Sequence, residues 1–217
     1  MDRSWSTDNE LSPAALSMLM EARQTILPKR LDAPGPDPDE WRTWLTSAAS
    51  APDHGQILPW RFICVPQDQR SRLGDAFAQA LLERDPAATD EQVSQARDKA
   101  LRAPVLLLLV VDGARGDPGV DLHERILSAG CAVQNLLLMA TAQGYGSALT
   151  SGKALKSTAL RALFGLTPDE HALCFLSLGT VRQRRPARPR PSPEDYLQTL
   201  GEAGVMAGFP PAPEPTE

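Results

Sequence analysis

The chain has 217 residues, 42% of them hydrophobic, which is enough to bury one good core. Its formal charge is -5, from 22 Lys and Arg against 27 Asp and Glu, so no global positive field exists to draw in nucleic acid or an anionic membrane. The start, MDRSWSTDNE, lacks the apolar stretch of a signal sequence and the longest apolar run, Val105 to Val111, is too short to cross a bilayer; a cytoplasmic protein is expected.

Composition along the chain predicts a flexible N-terminus over 1–10, a single domain over 11–200 and a proline-rich tail over 201–217. Ser12-Pro13 reads as an N-cap followed by a first-turn proline, and the spacing of Leu16, Leu19 and Met20 predicts a helix to about Arg23. Leu27 to Asp39, with four prolines and a glycine, reads as an extended connector. Asp37-Pro38 then caps a helix with an apolar stripe of Trp41, Trp44, Leu45 and Ala48. Pro52 forces Ala51 out of the helical region and Gly55 takes a positive φ without steric cost, so Asp53-His54-Gly55 forms a sharp corner. His54 and Asp53 either bond their own turn or present a polar group to a ligand. Pro59-Trp60 launches a strand from Arg61 to Val65.

Two helices are predicted next, from about Gln67 to Arg84 and from Thr89 to Arg102. Pro104 opens APVLLLLVVDGA, a continuous aliphatic strand that belongs at the centre of a sheet covered on both faces. Asp121 to Gln143 is a long helix, apolar nearly all round, in which Ser128, Gly130 and Ala132 permit close backbone approach; it is expected to form core and also to meet a second subunit. Ser147 to Gly152 reads as a short strand opening into a loop, Lys156 to Phe164 as a helix stopped by Gly165, and Ala172 to Thr180 as a second buried strand. Five arginines follow between Arg182 and Arg190, and the tail carries a short helix near Pro193 to Leu200. Cys64, Cys131 and Cys174 sit in apolar runs and are expected as buried free thiols. His54, His123 and His171 are too scattered for a metal cage, and the chain has no GxGxxG after a strand, no P-loop, no HExxH and no GxSxG.

The segment APDHGQILPWRF resembles the Ala-Pro-Asp-His-x-x-x-x-Pro-Trp-x-Phe stretch of the compact branch of the nitroreductase family, flavin-dependent oxidoreductases. The small-residue helix ending in Gln-Gly-Tyr-Gly and the Leu-Gly-Thr strand end resemble the same family, over roughly Arg23 to Leu200. The resemblance implies an α+β fold with a mixed β-sheet flanked by helices in two or three layers, an obligate homodimer, and an FMN site shared between its subunits. It implies FMN-binding roles for Arg23, Gln24, Thr25 and Arg184 at the phosphate and pyrimidine edge, for Leu149, Thr150 and Ser151 along the ring, and for Ser50 and His54 from the neighbouring subunit. Flavin N1 gains negative charge on reduction, so a positive group is expected close to it, and Lys29 and Arg30 are the candidates. No side chain is expected as a catalytic acid or base, because the flavin carries the chemistry: hydride from NADH or NADPH, then transfer to a nitroaromatic, quinone or similar acceptor. A dehydrogenase or dehalogenase of one metabolite and a catalytically idle flavin-binding dimer are the alternatives; Ser50 stands where relatives often have Arg, and Leu149 where they have an aromatic.

Overall fold

A computed structural model describes residues 12–184, 186, 188–201 and 204–209. The expected flexible N-terminus and the tail from 210 onward lie outside the described residues. The chain divides into two units, Met1–Arg184 and Arg185–Glu217, ahead of the tail boundary expected at 201.

In the first unit the helices are α1 (Pro13–Ala22), α2 (Pro38–Ala48), α3 (Arg70–Arg84), α4 (Asp90–Asp98), α5 (Leu122–Ala142) and α6 (Thr158–Phe164). The strands are β1 (Leu31–Asp32), β2 (Trp60–Cys64), β3 (Val105–Asp112), β4 (Gly146–Thr150) and β5 (Glu170–Val181). β5 lies between β3 and β4, β2 forms the edge beyond β3, and β1 pairs with the last two residues of β5. Every ladder is antiparallel; the parallel element is a single bridge between Thr25 and Ser147.

Strand β3 decides the layering, because side chains alternate across a sheet. Leu107, Leu109 and Val111 point into a core with Trp44 and Ala48 of α2, Ala132 and Leu136 of α5 and Leu176 of β5. Leu106, Leu108 and Val110 point the other way, against Leu73 of α3, Leu160 of α6 and Phe175. The result is three layers, with α2 and α5 on one face and α3 and α6 on the other. All six of these β3 side chains are buried, as expected of a central strand.

Two buried guanidiniums fasten the loops. Arg70 donates to the carbonyls of Val65, Ala100, Ala103 and Pro104, and burial pulls its pKa down. Arg125 donates to the carbonyls of Val120, Asp112, Arg115 and Asp117. Such charges are tolerated in the interior only because carbonyl dipoles replace the lost water.

Several expectations need correction. Cys64 ends the edge strand β2 and is exposed, while Cys131 and Cys174 are half-buried; burial pushes the Cys174 thiol up to about 11. Of the three small residues on α5, Ser128 accepts a bond from the Trp60 indole at 3.0 Å and Ala132 is buried in its own core, which leaves Gly130 with open space around it. The helix expected at 193–200 is a single 3-10 turn, Pro193–Asp195, followed by a hairpin of β6 (Gln198–Gly201) and β7 (Gly204–Ala207).

Candidate functional site

Three short segments meet at Gly146, the first residue of β4. A β-carbon there would stand 2.7 Å from Leu31 Cδ2, 2.7 Å from Val181 Cγ2 and 3.2 Å from Ile26 Cγ1, so only glycine lets these segments close together. Each segment carries positive charge. Ile26 follows Arg23-Gln24-Thr25, Leu31 follows Lys29-Arg30, and Val181 precedes Arg182 and Arg184. The backbone laces them further: the Ile26 N–H donates to Ser147 O at 2.9 Å, and the Arg182 N–H donates to Arg30 O at 3.0 Å. A basic rim results at one end of the sheet.

Along that rim Arg23 caps the C-terminal end of α1 and is half-buried, as is Gln24, while Thr25 is exposed beside Ser147. Arg182 is committed to Asp32, with Nε 2.6 Å from Oδ2 and Nη2 close to Oδ1; that bond holds the Asp32 carboxyl below its ordinary range. Leu149 is exposed, Thr150 half-buried and Ser151 exposed, and Gly152 has nothing within 4 Å of where its β-carbon would be. Arg184 is exposed. Thr25 thus lies beside the start of β4 and Arg184 follows the end of β5, while Leu149, Thr150 and Ser151 lie towards the other end of β4, where Thr150 pairs with Phe175 in the middle of β5.

Ser50 and His54 lie elsewhere. α2 runs antiparallel to α5: Tyr145, just past the end of α5, donates its hydroxyl to Glu40 at 2.9 Å, and Asn135 donates to Ser47 O at 3.1 Å. Continuing that way, the chain passes Ser50, whose N–H donates to Ser47 O near the middle of α5, and carries His54 to the start of α5, where His54 Nδ1 meets Glu124 Oε2 at 2.7 Å. From Glu124 to Ala142 a helix rises about 27 Å. Within one chain His54 and Arg23 stand at opposite ends of α5.

The corner around His54 is tightly held. Gly55 has φ +68°, and Gln56 (+52°) and Leu58 (+47°) also enter the left-handed region, which non-glycine residues seldom do. Asp53 Oδ2 accepts the Leu58 N–H at 2.7 Å, so Asp53 serves its own turn. Ile57 rests on Gly116, where a β-carbon would stand 2.6 Å from Ile57 Cγ2. Among the described residues, the buried side-chain polar atoms without a partner are Trp44 Nε1, Asp53 Oδ1 and Ser147 Oγ; the last two belong to the two stretches just described.

The residues that the sequence did not single out act by packing or at long range: Gly146 as the hub of the rim, Asp32 as the partner of Arg182, and Glu124 as the partner of His54. Only the Gly-Tyr-Gly turn hinted at the first.

Solved structures share this architecture. A nitroreductase-like family protein from Bacillus cereus superposes with a TM-score of 0.74 at 18% identity, covering 85% of this chain and 95% of that one. A mutant of the FMN and NADPH-dependent nitroreductase NfnB from sphigopyxis sp. strain HMH gives 0.67 at 19% identity, covering 85% and 98%. The class is thus an α+β fold of the nitroreductase type. Sequence makes the assignment closer: residues 20–180 match the Nitroreductase family, and a Haemophilus influenzae protein provisionally named NAD(P)H nitroreductase is 34% identical over 159 residues, 72% of this chain and 84% of that one. The chain belongs to the nitroreductase family and is an oxidoreductase.

Proposed function

We propose that the protein is a homodimeric, FMN-dependent reductase that draws hydride from NADH or NADPH and passes it to an electron-poor acceptor such as a nitroaromatic or a quinone. The observation that carries the reading is the separation of His54 from the basic rim, at opposite ends of α5. One flavin can touch both only if two chains pack with their α5 helices antiparallel, each lending Ser50 and His54 to the other's basic rim.

The residues present fit such a group. Arg23, Lys29, Arg30 and Arg184 offer positive charge to a phosphate, and planar guanidiniums bond phosphate oxygens in pairs. The orphaned Ser147 hydroxyl and the amide of Gln24 lie beside the rim, where a heterocycle edge finds donors and acceptors. Exposed Leu149 and the open backbone at Gly152 suit a flat aromatic ring. FMN supplies the hydride chemistry when bound, and the relative NfnB is named as FMN and NADPH-dependent. The protein's own part is to bind, orient and shelter the ring. Cytoplasmic residence, no nucleic acid and no membrane belong to the same reading. α5 is the one described helix long and apolar enough to span a bilayer, and it packs against the sheet and α2.

The visible spectrum of freshly purified protein is the test. A flavin band that NADH or NADPH bleaches under nitrogen, and that a nitroaromatic or quinone restores, is the expected result. Protein that stays colourless after incubation with FMN would remove the proposal.

A further inference from the structure

We infer that Glu124 is a positioning residue for the cofactor: its carboxylate engages His54 Nδ1 at 2.7 Å, fixing the imidazole so that its Nε2 is turned to the FMN of the partner subunit, as a donor whenever the ring is protonated. The inference rests on the proposed function, and it adds a residue that the sequence reading did not contain.

The corner is built to hold one side chain still. Backbone in the left-handed region at Gln56 and Leu58 costs energy and persists only where surrounding contacts enforce it. Those contacts are the Asp53 bond to the Leu58 N–H, the seat of Ile57 on Gly116, and the His54–Glu124 pair, which joins residues 70 apart in sequence. The first two already set the backbone. The third sets only the imidazole, and both of its partners are exposed in the single chain, where an ion pair does little for stability. Its effect is on the orientation and charge of the ring.

The electrostatics agree. Three carboxylates face His54: Glu124 on α5, Asp117 in the β3–α5 loop and Asp53 beside it. Together they raise the pKa of His54, through the hydrogen bond to Glu124 first and then through their charges. With Nδ1 committed, Nε2 is the nitrogen left for a ligand. A charged donor bonds an anionic or carbonyl oxygen more strongly than a neutral one.

FMN affinity, read by flavin fluorescence, should therefore be compared for the full-length protein, Glu124→Gln, Glu124→Asp, His54→Gln and the double variant, with the His54 ring titrated by NMR. Glu124→Gln should lower the His54 titration midpoint and weaken FMN about fivefold at a pH between the two measured midpoints, but less than twofold below both, where the ring is protonated in both proteins. The phosphate's own titration near pH 6 cancels in the ratio. Glu124→Asp should fall between. With His54→Gln in place, Glu124→Gln should change affinity less than twofold. Equal FMN affinity for wild type and Glu124→Gln at every pH overturns the inference alone, as does an unchanged His54 titration or an equal loss on the His54→Gln background. A wild type that takes up no FMN overturns the flavin reading and this inference with it.

Discussion

Gly146 and Arg23 do different work at the same rim, and substitution separates them. Alanine at Gly146 places a methyl 2.7 Å from Leu31 Cδ2 and Val181 Cγ2, so the packing must give way at a cost of about 1–3 kcal/mol. Gly146→Ala should lower the melting temperature and weaken FMN together. Arg23→Ala removes a guanidinium from the rim without adding bulk, so FMN affinity should fall about tenfold, the value of one charge-assisted bond. Calorimetry paired with FMN titration checks both; unchanged FMN affinity in Arg23→Ala would take that residue out of the site. At this scale the sequence offered candidates where a residue carries its own chemistry, as Arg23, Thr25 and His54 do. It was silent where a residue works through a neighbour distant in sequence. Glu124 reads as an ordinary first-turn acid until the fold brings His54 beside it, and Gly146 reads as a turn glycine until three segments close on it.

The helices and strands with local signatures were legible. Asp37 caps α2 by accepting from Asp39 and Glu40, while Glu40 reaches back to the Asp37 N–H, a reciprocal arrangement visible in the four-residue pattern. The aliphatic run of β3 could belong only to a central strand. The tail hairpin was not legible, because its prolines suggested extension and its strands are short. Nor was the bracing of the α6–β5 corner, which depends on partners far apart. Glu170 accepts from Arg61 Nε at 3.0 Å and Nη2 at 2.7 Å, and its second oxygen accepts from the Thr167 N–H at 3.0 Å. Burial alone would raise the pKa of this carboxyl, but the Thr167 N–H and the Arg61 guanidinium outweigh it and the net shift is downward. Its folded-state pKa thus lies below its unfolded one. The stabilisation is complete above the ordinary glutamate range and is lost as pH falls through the folded value. Melting temperature followed downward from about pH 6 should drop, and Glu170→Gln should start lower, by about 1–3 kcal/mol, with a flatter acid limb. A variant with the wild-type acid limb would show that the loss arises elsewhere.

For the molecule as a whole, the length of α5 is the controlling quantity. The basic rim lies where that helix ends, and the corner of Asp53, His54, Asp117 and Glu124, three acids to one histidine, lies where it starts. An antiparallel pair therefore sets a cationic end against an anionic one twice over, which favours this alignment over a parallel one. The surface between the two ends suits close approach: Leu127 is 70% exposed and Gly130 has no atom within 4 Å of its β-carbon position. α1, with no buried residue of its own, adds exposed Leu16, Met18 and Met20. Exposed apolar side chains of this kind fit the proposed pairing of two chains. Leu127→Glu places a charge on that surface, one helical turn beyond Glu124, and leaves Arg23 at the other end of α5 untouched. The variant should remain folded by circular dichroism, elute as a monomer in light-scattering chromatography and lose FMN, and the wild type should lose FMN in parallel with its own dissociation on dilution. A folded Leu127→Glu monomer that keeps its flavin would mean that one chain completes the site, and the opposition of His54 and Arg23 along α5 would then have no part in binding.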